Sequence, residues 1–151
     1  MTKIIQENDD LSKLFGCTLT YGHFSSIHPG HIRYLNHAKK KGKKVVVALL
    51  GDGDSKQKKF QFNQQDRANS LEMVSIVDYI VCLKNDNINK IIKKIKPTFL
   101  ILGTEFKTSF NNKVDEAIKI QKSANRVVEF HAGDINYAST DLFNNSENEL
   151  T

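Results

Sequence analysis

The eleven residues from Tyr21 to His31, "YGHFSSIHPGH", contain three of the five histidines in this chain of 151 residues. His28 and His31 are three positions apart, so one helical turn would place both imidazoles on the same side. A helix that begins here would add unpaired backbone N–H groups and a partial positive charge, which together attract anions. The spacing therefore predicts a phosphate-binding site at the start of a helix.

The residues between these two histidines fit that interpretation. Pro29 suits the first turn of a helix, and Gly30 has no side chain to keep a phosphate away from the backbone. Two histidines without further ligands are also common as plain surface residues, and that alternative stays open on spacing alone. No third histidine or cysteine follows at a zinc-like spacing, so we expect no metal site built from the protein.

Apolar runs alternate with segments of helical period around this motif. Helical crossovers between consecutive strands require a parallel sheet covered on both faces. The predicted fold class is a Rossmann-like, three-layer α/β/α domain with a five-stranded parallel sheet, in which ligands bind beyond the carboxyl ends of the strands. The predicted strands are 17–22, 44–51, 78–83, 98–103 and 126–130, and the predicted helices are 28–42, 63–77, 87–96 and 112–123.

We expect one nucleotide-binding domain over 16–143, after an amphipathic lead-in over 1–15. Residues 144–151 form a polar tail, at which a linker to a further domain would start in a longer chain. The first residues are polar and acidic, unlike a secretory signal, so we expect a cytoplasmic protein. Cys17 and Cys82 both lie in apolar runs and are predicted to be small core residues in a reducing compartment.

The net charge of +5 and the pI near 9.1 suit a small polyanion, such as a nucleoside triphosphate, as well as nucleic acid. The lysines fall in three separate clusters, and no aromatic residues interleave them as single-strand binding requires. No apolar stretch approaches the roughly 18 residues that cross a membrane. We therefore expect neither a nucleic-acid partner nor a membrane.

Four ordered motifs give the chain a family resemblance. They are "YGHFSSIHPGHIRYLNHAKKKGKKVVVALLGD", "QDRANSLEMVSIVDYIV", "KPTFLILGTEF" and "YASTDLF", and together they extend over residues 16–143. On these motifs the chain resembles the cytidylyltransferase-like nucleotidyltransferases, whose signature is H-x-G-H. Within that family it is most similar to glycerol-3-phosphate cytidylyltransferases and heptose-1-phosphate adenylyltransferase domains.

The resemblance implies an enzyme in which the oxygen of an acceptor attacks the α-phosphorus of a nucleoside triphosphate and pyrophosphate leaves. It favours CTP over ATP, and an acceptor that is a phosphorylated polyol or sugar, or a phosphonate. It also implies Mg²⁺ bound mainly by the triphosphate and water, a homodimer, and a role in the synthesis of capsule or other cell-surface glycans.

The resemblance assigns His28 and His31 as donors to the triphosphate while charge develops at the α-phosphate. Arg67 would be the family's helix arginine near the phosphates, and Lys58 would bind the β- and γ-phosphates from a loop. A surface charge and a solvated loop are the plain alternatives for these two. The remaining nucleotide- or phosphate-binding candidates are Tyr21, Gly22, His23, Phe24, Gly30, Asp52, Lys59, Gly103, Glu105, Ser139 and Thr140.

Three positions depart from the family pattern. Ser25 stands where an aspartate is common, Leu102 where a lysine is frequent, and Asp134 where some cytidylyltransferases have arginine. These departures would fit the alternative, a non-catalytic nucleotide-binding or oligomerisation module of a larger polypeptide, whereas the intact H-P-G-H motif favours the enzyme. His37 and His131 match no family position and are interpreted as ordinary surface or core residues.

Overall fold

A computed structural model of the chain describes residues 1–52, 62–84, 88–104, 106 and 112–131. Within them, strands and helices alternate as the sequence predicts. The strands are β1 (Lys3–Gln6), β2 (Thr18–Gly22), β3 (Val45–Leu49), β4 (Tyr79–Cys82), β5 (Phe99–Gly103) and β6 (Val127–His131). The α-helices are α1 (Pro29–Lys39), α2 (Gln64–Glu72), α3 (Asn89–Ile95) and α4 (Asn112–Ser123), and Ser12–Leu14 form a 3₁₀ turn.

The strands form one sheet in the order β1-β4-β3-β2-β5-β6, and the paired strands are parallel. From β2 the chain proceeds outward through β3 to β4 on one side, and from β5 to β6 on the other. The direction of winding therefore reverses between β2 and β5. Ligands of open α/β sheets bind in the crevice at such a reversal.

The sheet contains one strand more than the sequence predicts. β1 lies at the edge beside β4, where Ile4 and Ile5 pair with Ile80 and Val81. It comes from the segment 1–15, interpreted from sequence as a lead-in. A four-residue edge strand with two apolar residues, each only half buried, has too short a pattern to be recognised. The Rossmann-like α/β class itself is confirmed.

The core lies in two layers on opposite faces of the sheet. α1 and α2 cover one face, and α3 and α4 cover the other. All five residues of β3 are buried, and their side chains alternate between the two layers. This two-sided burial explains the unbroken apolar run "VVVAL" of a central parallel strand, and it fixes the carboxyl ends at which the site is built.

Cys17 and Cys82 are buried and form no disulfide, as the sequence predicts. Burial raises the pKa of the Cys17 thiol to about 12, so this thiol stays protonated at neutral pH. Burial likewise raises the pKa of the Cys82 thiol. In the described ranges, no helix combines the length and the hydropathy needed to span a bilayer.

Candidate active site

A cavity of about 490 Å³ opens where β2, β5 and β6 end, at the reversal of the sheet. Its volume falls within the range of small-molecule sites, about 300–1,000 Å³. It is bordered by the turn from β2 to α1 and by the last residues of β5 and β6. The structure places eight of the sequence-predicted site residues around it: Tyr21, Gly22, His23, Phe24, His28, Gly30, His31 and Gly103.

The backbone at the start of α1 fixes the orientation of both motif histidines. His28 is the N-cap residue, and its Nδ1 accepts a hydrogen bond from the Gly30 N–H at 3.0 Å. The His28 N–H in turn donates to His31 Nδ1 at 3.3 Å. Because a backbone N–H can only donate, each Nδ1 must accept, which places the proton of each neutral ring on Nε2. His28 therefore keeps Nε2–H as a donor at the cavity wall, and the His31 ring, which also bonds with the Ser26 backbone, borders the cavity beside it.

This arrangement changes the expected role of Gly30. The sequence suggests that its N–H binds a phosphate directly, but in the structure that N–H is used by His28. The donors that the helix start offers are thus imidazole N–H groups, since the Gly30 N–H is already bonded to His28. The absence of a side chain at Gly30 still leaves space beside them.

His31 is held in its neutral form. Burial lowers its pKa below the ordinary value of 6.5, and the positive charge of a protonated His28 would lower it further. A hydrogen bond with the Ser26 backbone acts in the opposite direction as a smaller effect. The His28 and His31 rings stack with centroids 3.8 Å apart, so two imidazoles lie side by side at the cavity wall.

The Phe24 ring packs against the pair formed by His28 and His31, through its contact with His31. Its backbone is left-handed, with φ of 50°, which is uncommon for a bulky residue and marks a tightly constrained turn. Its ring is buried and contacts His31 at a centroid distance of 5.0 Å. A Cβ on Gly22 would lie 3.1 Å from that ring, so glycine is needed there for the ring to reach its place.

Arg67 lies next to the cavity but does not border it. Its side chain is buried, and its five N–H groups match five hydrogen bonds of 2.8–3.1 Å to protein oxygens. It thereby joins the turn after β2, the residues after β3 and the segment before α2. The acceptors are the carbonyls of His23, Leu50, Gly51 and Phe62 and the carboxylate of Asp52.

Asp52, the predicted strand-end acid, is therefore the counter-charge of a buried guanidinium, although 57% of its own side chain is exposed. The catalytic assignment of Arg67 stays a prediction, but the geometry favours a positioning role, because its donors are used within the protein. Five predicted site residues lie outside the described residues, as does Asp134: Lys58, Lys59, Glu105, Ser139 and Thr140.

The structure adds His131, which sequence reasoning left as an ordinary residue. It ends β6 opposite Gly103 of β5 and borders the cavity. A signal for it was present, because it directly follows the predicted strand 126–130 and the carboxyl ends of parallel strands meet at one edge. His131 reaches the cavity because β6 pairs with β5, and a single sequence does not specify that pairing.

Among the residues that the structure describes, no group of three or more histidine, cysteine, aspartate or glutamate side chains could hold a metal ion. The described cavity lining also contains no carboxylate, and Ser25 borders it where family members commonly have aspartate. Hard cations such as Mg²⁺ prefer carboxylate oxygens. The described lining of the cavity therefore offers Mg²⁺ no carboxylate ligand.

Comparison with known proteins supports the sequence interpretation. The model of the cytidylyltransferase-like family matches residues 19–145. Bifunctional protein HldE of Campylobacter concisus (strain 13826) is 34% identical over 112 residues, which are 70% of this chain and 24% of that protein. Bifunctional protein HldE of Helicobacter pylori (strain ATCC 700392 / 26695) is 32% identical over 110 residues, 70% of this chain and 23% of that protein. The chain thus spans about a quarter of these curated relatives.

A solved structure shows the same fold. The crystal structure of the lipopolysaccharide core biosynthesis protein from Thermoplasma volcanium GSS1 superposes with a TM-score of 0.62, over 76% of this chain and 94% of that one, at 24% identity. The family match begins within β2 and continues past β6, so it includes the three strands whose ends border the cavity. The chain therefore belongs to the cytidylyltransferase-like family of nucleotidyltransferases.

Proposed function

We propose that this chain transfers a nucleoside monophosphate, CMP in preference to AMP, from its triphosphate to a phosphorylated polyol or sugar, or to a phosphonate. The observation that carries the proposal is the pair of imidazoles of His28 and His31, oriented by backbone hydrogen bonds at the wall of a cavity at the sheet reversal. The preference for CTP rests on the family resemblance. The proposed setting is the synthesis of cell-surface glycans in the cytoplasm.

The reaction balances without a covalent enzyme intermediate. An oxygen of the acceptor phosphate forms a bond to the α-phosphorus, and the bond from that phosphorus to the bridging oxygen of the β-phosphate breaks. Pyrophosphate leaves with the electron pair. Negative charge grows on the α-phosphate oxygens and on the leaving group, where prearranged donors stabilise it. His28 and His31 supply two such donors, already oriented by the backbone.

Mg²⁺ is proposed only as the ion that the triphosphate brings with it, where it would neutralise phosphate charge. No residue of the described lining is assigned to it, since that lining has no carboxylate. A homodimer is proposed on the family resemblance, and Lys58, Lys59, Ser139 and Thr140 remain proposed phosphate contacts on the same ground.

The proposal is tested by pyrophosphate release from CTP or ATP with Mg²⁺, against a panel of polyol phosphates, sugar phosphates and phosphonates. We expect release with one triphosphate and one class of acceptor. His31→Ala should lower kcat by about 10²–10³-fold, since it removes one donor to the developing charge. Asn36→Ala, at an exposed position of the same helix, should leave the rate unchanged.

The alternative is a non-catalytic nucleotide-binding module. It predicts that CTP or ATP binds and that His31→Ala weakens this binding, while no acceptor of the panel gives pyrophosphate. That outcome, with circular dichroism showing both proteins folded, would overturn the proposed activity and leave the nucleotide site in place.

A further inference from the structure

Six rings contact one another in sequence along the wall of the cavity, and imidazoles form both ends of the row. The centroid distances between successive rings are 3.8, 5.0, 6.3, 6.3 and 4.3 Å. The two central rings, those of Phe24 and Tyr34, are buried and lie between one histidine pair and the other. In order, the rings are those of His28, His31, Phe24, Tyr34, His131 and His37.

The second pair is held in place by ionic contacts that the proposed reaction does not yet use. His37 Nε2 lies 2.8 Å from Glu129 Oε1, and Lys41 Nζ donates to the other carboxylate oxygen at 2.7 Å. The hydrogen bond from Lys41, and then that from His37, lower the pKa of the Glu129 carboxyl, so it is ionised at neutral pH. An ionised carboxylate only accepts, so His37 Nε2 carries the proton.

These contacts fix the His37 ring, and the His131 ring stacks on it with the planes 22° apart. Glu129 and His131 are two residues apart on β6, so their side chains share one face of the sheet. That face is the one covered by α1, which carries both His37 and Tyr34. His131 is thus held between α1 and the end of β6 while it borders the cavity.

We propose that His131 contacts the substrate and binds the phosphate of the acceptor, and that His37 and Glu129 are positioning residues for its ring. The inference rests on the proposed function, in which His28 and His31 bind the triphosphate. His131 enters the cavity from another strand and is separated from His31 by the rings of Phe24 and Tyr34. We therefore assign to it a group other than the triphosphate, the attacking phosphate of the acceptor.

The charge around this pair agrees with an anionic ligand. Lys41 and the carboxylate of Glu129 offset each other, and the described lining of the cavity adds no carboxylate beside His131. An imidazole N–H aimed at a phosphate is a charge-assisted hydrogen bond, about twice as strong as one between neutral groups. Binding of the acceptor there would hold its phosphate on the wall of the same cavity as the triphosphate.

Histidine NMR tests the inference directly, since the full chain has only five histidines. Imidazole resonances of the labelled protein are assigned with His131→Asn, His31→Ala and His28→Asn. They are then followed during titration with CTP, ATP, glycerol 3-phosphate, a hexose 1-phosphate and methylphosphonate. We expect the triphosphate to shift the resonances of His28 and His31, and the compound that serves as acceptor to shift that of His131.

Kinetics give the second readout. His131→Ala should raise the KM of the acceptor by roughly 10- to 150-fold, the loss of one hydrogen bond to a charged group, and leave the KM of the triphosphate unchanged. His131→Asn keeps an N–H donor and should recover part of that loss. Glu129→Gln should shift the His131 resonance without ligand and raise the acceptor KM severalfold. Glu116→Gln, which removes an exposed carboxylate from α4, should do neither.

Two results overturn the inference while the proposed function stands. One is pyrophosphate release with an unchanged acceptor KM in His131→Ala. The other is a His131 resonance that responds to CTP or ATP alone, which would place His131 on the nucleotide. If no compound of the panel gives pyrophosphate with the wild-type protein, the proposed function fails. If, in addition, no phosphate compound shifts the His131 resonance, this inference fails as well.

Discussion

The turn after β2 and the residues after β3 lie side by side at one edge of the sheet, yet they use their polar groups in opposite ways. After β2, backbone N–H groups donate to His28 and His31 and orient both rings at the wall of the cavity. After β3, backbone carbonyls and Asp52 accept the N–H groups of Arg67, whose side chain is buried.

The difference separates residues that act on a ligand from residues that hold the site. The family resemblance assigns Arg67 and the two histidines alike to the phosphates, although they lie in two different motifs. Their hydrogen-bond partners distinguish them. When all the donors of a side chain bond within the protein, its removal should mainly lower the free energy of unfolding. When a side chain faces the ligand in the cavity, its removal should mainly lower kcat.

The largest effect is expected at Arg67. Arg67→Met removes a buried cation and leaves four carbonyls and the Asp52 carboxylate without it, so the free energy of unfolding should fall by about 3–5 kcal/mol. Equilibrium unfolding in urea measures this. Arg67→Lys restores one charge but not the fork of donors and should recover only a small part. Unchanged stability together with a collapse of kcat would make Arg67 a phosphate ligand instead.

The next prediction separates capping from catalysis at His28. Asparagine is among the best N-cap residues, so His28→Asn should change the stability by less than about 0.5 kcal/mol. The shorter amide, with its Oδ1 on the Gly30 N–H, does not extend to the position of the imidazole Nε2, so kcat should fall by about 10²–10³-fold. His28→Ala should show the same loss of rate and a further loss of about 1 kcal/mol in stability. A His28→Asn variant with wild-type kcat would show that His28 serves only as a cap.

Two glycines extend the comparison to packing. Gly22→Ala would bring a Cβ within 3.1 Å of the Phe24 ring, on which His31 rests, so both the stability and kcat should fall. The expected loss of stability is about 1–3 kcal/mol, as for other overpacked sites. Gly42→Ala has open space around it but a φ of +80°, so it should cost about 1 kcal/mol and leave kcat unchanged. Equal effects of the two on kcat would argue against the support of His31 by Phe24.

The sequence was sufficient for most of the fold, because central strands such as β3 are unbroken apolar runs and the helices carry clear periodicity. It missed β1, whose four residues give no usable pattern. For the site, the H-P-G-H motif located one end of the cavity. His131 is oriented by the contact between His37 and Glu129, which are 92 positions apart in the sequence. Such a contact follows only from the tertiary arrangement.

The burial of His31 also makes a prediction about pH, the smallest effect of the set. The pKa of His31 is lowered in the folded protein, because burial and His28 disfavour its charged form. The unfolded chain therefore takes up a proton near pH 6.5, before the folded chain does, and the free energy of unfolding falls as the pH decreases through that range. Below the folded pKa both states are protonated and the decline from this group ends.

Urea unfolding of the wild-type protein and of His31→Gln between pH 5 and 8 measures this contribution as their difference. Glutamine does not titrate, so the difference in stability should shrink or change sign toward pH 5 as the wild-type protein loses its advantage. Glu129 does not interfere in this range, because its pKa is lowered from 4.5 and its contribution is lost only at lower pH. A difference that stays constant across the range would mean that folding does not lower the pKa of His31, and that burial does not hold this ring in its neutral form.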